Sequence, residues 1–343
     1  MNSINHNPII TFGELMMRLH SPNGNRIIQT NSFEIGYSGA EANVAVLLSR
    51  LGMPVKFITR LPENDFAEAA LNVLQSQKVG TSLVIRGGDR LGLYFTEEGN
   101  QLRPSRVVYD RKNSSFATLS SGMIKWDEVF ENAGWFHWSG ISPALSQSVA
   151  DVCKEAINTA KKKGITISAD FNYRSTLWDY GKKPAEIMPT LLNDCDVIVG
   201  DIDTAKTYFE ITIADYESVE NRFKNFAEEL KNKLPSMKSL AMSFRGKNDS
   251  QQLTYSGALM NDGKYFFSKK YDIPLVIDRL GTGDAFNAGL IFNFIHQNDG
   301  QQAIEFATAC GVLKHSIAGD LALINKEEIE QFIQTGPHDR VIR

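Results

Sequence analysis

Short solid runs of apolar residues alternate with longer amphipathic stretches through most of the chain. Ile9-Ile10-Thr11-Phe12 is one such run, ending at Gly13, and Val55 to Thr59 is another. Between and after them, Ala42 to Leu51 and Phe66 to Gln77 carry apolar residues at helical spacing and stop at Gly52 and at Val79-Gly80. The same order recurs in the Trp135–Ser139 run, the amphipathic stretch Ser146 to Lys163 followed by Gly164, and the run Thr166 to Asp170. Val197-Ile198-Val199, a helix starting at Thr204, and Leu240 to Phe244 complete it. A strand with no polar face is buried on both sides, so helices must cover both faces of its sheet. The pattern predicts an α/β fold: a mainly parallel central sheet flanked by helices.

Two segments break this rhythm. Residues 15–37 and 86–112 alternate apolar and polar positions and contain turn residues such as Pro22-Asn23-Gly24. They read as a small antiparallel β insertion, suited to cover a cleft or to meet a second subunit. Ser236 to Asp249 reads partly as a surface loop around the Leu240 to Phe244 run. No internal repeat or linker of biased composition divides the chain, so residues 1–343 are expected to form a single domain.

Composition narrows the function classes. Apolar residues are 42% and charged residues 22% of the 343, as in globular proteins, and no apolar run approaches membrane-spanning length. A formal net charge of −4 argues against nucleic acid as the main partner. Cys153, Cys195 and Cys310 are far apart within apolar patterns, with no metal or disulfide spacing. They read as small buried hydrophobes in a reducing compartment, and the polar start Met1 to Pro8 lacks a secretory core. A cytoplasmic protein is expected.

The chemistry concentrates in Asp278-Arg279-Leu280-Gly281-Thr282-Gly283-Asp284-Ala285-Phe286-Asn287. Glycines allow a tight turn whose N–H groups converge, and a helix beginning there adds free amides and the positive end of its dipole. Such a place binds an anion, most often phosphate. No Gly-Lys-Ser/Thr follows, so it is not a Walker loop, and it is not the Gly-x-Gly-x-x-Gly dinucleotide fingerprint. An aspartate at a phosphate site is repelled by its ligand unless it serves the reaction. Asp284 fits a general base that takes a proton from an attacking hydroxyl, with the Gly281, Thr282 and Gly283 backbone as the anion cradle. The same residues also fit a plain loop with Asp284 as a helix N-cap.

A second glycine segment, Gly36-Tyr37-Ser38-Gly39-Ala40-Glu41-Ala42-Asn43-Val44-Ala45, precedes Leu48-Ser49-Arg50-Leu51-Gly52. With both motifs in this order, the chain resembles the ribokinase-like (PfkB) carbohydrate kinases from about Ile9 to Phe332. Within that family it is most similar to the branch acting on 2-keto-3-deoxygluconate. The residues behind this are Gly92-Leu93-Tyr94, Tyr109-Asp110-Arg111-Lys112, Ser139 to Leu145, Asp170-Phe171-Asn172-Tyr173-Arg174 and Arg279.

The resemblance implies a ribokinase-like fold with a β lid, and an ATP- and Mg²⁺-dependent phosphotransfer to the 6-hydroxyl of 2-keto-3-deoxygluconate. It implies substrate contacts at Gly39, Asn43, Tyr94, Tyr109, Arg111, Arg174 and Asp284, and an acidic sugar contact at Glu14. An arginine is the expected partner of the sugar-acid carboxylate, since its fork matches that group. Nucleotide contacts would fall at Ser243, Arg245, Gly246, Gly281, Gly283 and Lys314, with Lys314 and His315 otherwise at the surface. Gly319-Asp320 would lie near the adenine. The family's Asn-x-x-Glu magnesium motif is replaced here by Asp201-Ile202-Asp203-Thr204, so Asp201 and Asp203 become the metal candidates, through water. A homodimer or higher homo-oligomer is expected through the β lid that the two inserted segments form. Two other readings stay open: a related kinase of a neutral ketose such as fructose, and a sugar- or nucleotide-binding regulator without catalysis.

Overall fold

This computed structural model describes residues 7–99, 102–214 and 218–336. Most of the polar N-terminal segment, Met1 to His6, therefore lies outside the described residues. The strands are β1 (Ile9–Phe12), β2 (Met16–His20), β3 (Glu34–Ser38), β4 (Val55–Ile58), β5 (Arg60–Leu61), β6 (Ile85–Arg86), β7 (Gly92–Glu97), β8 (Arg106–Asp110), β9 (Trp135–Ser139), β10 (Thr166–Asp170), β11 (Val197–Val199), β12 (Ser239–Lys247), β13 (Leu253–Asn261), β14 (Lys264–Phe267) and β15 (Tyr271–Ile273). The helices are α1 (Ala40–Arg50), α2 (Asp65–Ser76), α3 (Trp126–Val129), α4 (Gln147–Lys162), α5 (Pro184–Leu192), α6 (Ile202–Phe209), α7 (Val219–Lys233), α8 (Thr282–Ile295), α9 (Gly300–Lys314) and α10 (Lys326–Thr335).

The main sheet runs β4-β1-β9-β10-β11-β12-β13-β14, with β15 pairing β13. From β4 to β12 every neighbouring pair is parallel, and the β12–β13–β14 edge turns antiparallel. Side chains alternate across the strands, so Ile9 joins a core under α1, α8 and α9 while Ile10 and Phe12 join one under α4 to α7. That is the mainly parallel, doubly covered sheet expected from the apolar runs. Ser239–Lys247 is one continuous strand paired along its length with β13, not a surface loop. Its outer half is exposed and polar, which hides a hairpin from a search for apolar runs.

The two rhythm-breaking segments form a second sheet, β3-β2-β7-β8. Each supplies an antiparallel hairpin, as expected, and the turn at Asn23 and Gly24 has φ of 58° and 68°. The hairpins join through a parallel β2–β7 pair that registers Met16 with Gly92 and Arg18 with Tyr94. No helix among the described residues is long and apolar enough to cross a membrane.

Candidate active site

The helix α8 begins at Gly281, whose φ of 78° is left-handed and whose side carries the backbone of Asp320. A Cβ on Gly281 would lie 1.9 Å from the Asp320 carbonyl oxygen, so only glycine fits there. No side chain caps α8, leaving its first-turn amides for a ligand, and the space beside Gly283 is open. Thr282 turns inward, donating to the Arg279 carbonyl at 3.0 Å, while Arg245 on β12 donates to the Thr282 hydroxyl. An uncapped helix start, a clear space and an adjacent guanidinium fit a phosphate group.

Asp284 is not an N-cap. It lies one turn into α8, where Asn43 Nδ2 from α1 donates to its Oδ2 at 2.7 Å. This bond spans 241 residues and brings the two glycine motifs together. Burial pushes the Asp284 carboxyl up to about 8; the Asn43 bond opposes that, and Asp170, Glu41 and Asp320 add to it by repulsion. Burial likewise raises Glu41 to about 7 and Asp170 to about 6. Asp170 is held by Asn287, one turn beyond Asp284, at 2.9 Å. Among the described residues the Oδ1 of Asn43 and Oε1 of Glu41 are buried acceptors with no hydrogen-bond partner.

Gly39 has a different reason for being glycine than closeness to a sugar. Its Cβ would lie 1.9 Å from the Glu14 carbonyl oxygen, so the junction between β1 and β2 already requires it. Glu14 itself is committed to a buried ion pair. Arg111 donates to it through Nε at 2.8 Å and through Nη2, and Ser114 donates to its other oxygen. That uses two of the five Arg111 donors. The Arg111 guanidinium also lies 5.6 Å from the centre of the Tyr109 ring, which tilts against Tyr94 at 6.1 Å. Arg174 contrasts with Arg111: it is exposed, with Nη1 donating to the neighbouring Tyr173 carbonyl at 3.0 Å and its charge lowering the pKa of Asp170. Its charge is available to an anion.

Tyr94 from β7 is buried and donates to Asp320 Oδ2 at 2.8 Å, and its oxygen also meets the Ser38 hydroxyl. Asp320 therefore faces the second sheet, where it bonds Tyr94 and Arg18. Nothing in the local sequence marks it, because its partners are more than 200 residues away.

A model of pfkB family carbohydrate kinases matches residues 7–322. The chain belongs to the PfkB family of carbohydrate kinases. It is 35% identical to a crystallised 2-dehydro-3-deoxygluconokinase of Thermotoga maritima, with a TM-score of 0.90 over 96% of this chain and 100% of that one. A 2-dehydro-3-deoxygalactonokinase of Haloferax volcanii is 30% identical, covering 96% of this chain and 97% of the relative. A 2-dehydro-3-deoxygluconokinase of Bacillus subtilis is 28% identical over 94% of both chains.

The remaining positions of this kinase divide into three. Ser243, Arg245 and Gly246 lie on β12, and Arg245 reaches the glycine loop. Lys314 and His315 are fully buried rather than at the surface. The Lys314 ammonium donates to the Ile317 carbonyl at 2.9 Å, in the field of Asp278 and Asp320. Burial lowers its pKa and those aspartates raise it again. Of the metal candidates, Asp201 caps α6, accepting from Thr204 N at 2.9 Å and from its hydroxyl at 2.7 Å. Asp203 is 86% exposed and pairs with Lys206. Among the described residues no group of three acidic, His or Cys side chains could hold a metal alone. This donor set fits magnesium carried largely by phosphate and water, the usual habit of that ion.

Proposed function

We propose that this kinase phosphorylates the 6-hydroxyl of 2-keto-3-deoxygluconate, with Asp284 as general base and the Gly281, Thr282, Gly283 and Asp284 backbone as the anion hole. The bond from Asn43 to Asp284 carries the reading, because it fixes a half-buried carboxyl beside the uncapped start of α8. A base titrating near the working pH accepts a proton most effectively. Arg174 binds the sugar carboxylate, the unused donors of Arg111 meet the keto end, and Tyr94 and Tyr109 supply hydroxyls. Asn43 accepts a sugar hydroxyl through its free oxygen, and the Gly39 backbone borders the sugar. The 2-dehydro-3-deoxygluconokinases of Thermotoga and Bacillus support the substrate; the galactonate acid named for the Haloferax relative differs only at one hydroxyl-bearing carbon.

Bound magnesium–ATP supplies the phosphoryl group and a cation that offsets its charge. Ser243, Arg245, Gly246, Gly281 and Gly283 hold its phosphates. Lys314 adds positive charge from beneath the loop, and Asp201 would hold the magnesium ion through water, with Asp203 the second candidate. Positioning and charge stabilisation are the protein's main tasks in this chemistry. The β3-β2-β7-β8 sheet acts as the lid of a single domain. Its strands carry exposed apolar residues, Ile35 at 58% and Val108 at 37%, which pack against a second copy to form a dimer. The three buried free cysteines accord with the cytoplasm.

The test is ADP release with 2-keto-3-deoxygluconate, its galactonate epimer and fructose. Turnover with a sugar acid and little with fructose is the expected result. Turnover with fructose alone would favour the ketose reading, and binding without turnover a regulator. Sedimentation of wild type against Ile35→Asp should show dimer against monomer; a wild-type monomer at micromolar concentration removes the lid-mediated dimer.

A further inference from the structure

We propose that Arg18 is a positioning residue that couples the lid to the glycine loop, so that order at the sugar end tightens the phosphate end. Arg18 lies on β2 and is only 6% exposed. Its Nη2 is 2.9 Å from Asp278 Oδ2 and its Nη1 is 2.5 Å from Asp320 Oδ1. Its Nε donates to Thr96 on β7 at 3.1 Å, and Nη2 is 3.4 Å from the His20 ring.

Each aspartate passes the contact on. Asp278 accepts from the Leu280 amide at 3.0 Å and from the Gly319 amide at 3.2 Å, which sets the entry to the glycine loop. Asp320 accepts from Tyr94 at 2.8 Å, and its backbone is the surface on which Gly281 rests. One guanidinium therefore joins two lid strands, the base of the anion hole and the loop supporting Gly281. The Lys314 ammonium feels both aspartates as well, and Asp284 beyond them, so a second cation helps to offset their charge. Buried charges paired in this way are costly to separate, because a partner removed leaves the other unmatched. The lid strands cannot shift without disturbing the loop's ties.

The inference rests on the glycine loop being the phosphate cradle, and its test is independent of which sugar is used. Hydrogen exchange and binding of a non-hydrolysable ATP analogue are measured on the full chain with Arg18→Met, Arg18→Lys and Asp278→Asn. In Arg18→Met, exchange at 279–284 should rise about tenfold and analogue affinity should fall about tenfold, although Arg18 lies on the lid. Arg18→Lys should fall between, and exchange in α4 should not change. Reciprocally, Asp278→Asn should raise exchange in β7. If the Arg18 variants loosen only β2 and β7, with exchange at 279–284 and analogue affinity within twofold of wild type, Arg18 serves the lid alone and the coupling is overturned. Should Arg18→Met fail to fold, Asp278→Asn decides: unchanged β7 exchange overturns the proposal. Absence of sugar-acid phosphorylation in the wild type with these exchange effects intact would remove the substrate reading and leave the coupling standing.

Discussion

At the start of α6, Asp201 occupies the N-cap, is exposed, and accepts two bonds from Thr204 three residues on. At the start of α8 the N-cap is Gly281, and Asp284 lies half-buried one turn inside, bonded to Asn43 of another helix. Both are aspartates following a glycine at the start of a helix. The first satisfies itself locally and stabilises its own helix, by about 1 kcal/mol as caps do. The second has no local partner, stays close to three other carboxylates, and is pushed to about 8 by burial. A carboxylate held at a cost to stability, by a residue far away in sequence, is what a site of chemistry rather than of folding is expected to carry.

The sharpest way to break this comparison is Asp284→Asn. A rate loss on the order of 10² to 10⁴ is expected in steady-state turnover, from loss of the base. Stability should move the other way. The folded carboxyl has a raised pKa, so its neutral form favours folding, and that advantage is lost as pH rises from about 4 through about 8. The asparagine variant should therefore gain in thermal unfolding temperature over wild type, with a larger gain at pH 9 than at pH 5. A near-normal rate, or a lowered melting temperature at pH 9, would return Asp284 to the same class as Asp201.

The two arginines make a parallel contrast. Arg111→Ala leaves Glu14 buried without its cation, and should cost about 3–5 kcal/mol in denaturant unfolding. Arg174→Ala removes an exposed residue with one backbone bond, so stability should stay within about 0.5 kcal/mol. Its effect should appear in kcat/KM for the sugar acid, a loss of roughly 10- to 100-fold from a missing charged hydrogen bond, with fructose much less affected. Equal losses with both sugars would take the carboxylate away from Arg174.

What the chain revealed before its structure follows the same division between local and distant. Ile9 to Phe12, Ser146 to Lys163 and Gly281 to Asp284 carry their information within a few residues, as apolar runs, helical periodicity and glycine turns do. Arg18 and Asp320 could not be found that way, because their meaning depends on a pairing across 302 residues. Lys314 resembles a surface lysine until α9 is seen to end inside the protein. The glycines at 39 and 281 were legible as special, but the reason at Gly39 is the Glu14 carbonyl. The parallel β2–β7 pair was hidden because hairpin signals report only neighbours in sequence.

The Asn43 bond allows a finer adjustment. Activity should rise with pH as Asp284 ionises, with kcat/KM levelling above about pH 8 in the free enzyme. Asn43 stabilises the charged form, so Asn43→Ala should move this limb to higher pH, whereas a residue serving only α1 would lower the plateau and leave the midpoint in place. A pH–rate profile of both proteins distinguishes the two.

The smallest expected effect lies at Asp201, where cap and metal roles can be separated by one atom. Asparagine caps a helix as well as aspartate, so Asp201→Asn should leave the melting temperature unchanged while removing the negative charge. If Asp201 orders water on magnesium, the Mg²⁺ concentration giving half-maximal rate should rise a few-fold at saturating ATP. Asp201→Ala should show the same magnesium shift and, in addition, a stability loss of about 1 kcal/mol. A variant pair that differs in stability but matches wild type in magnesium dependence would make Asp201 a cap alone, and would place all the work of holding the ion on phosphate and solvent.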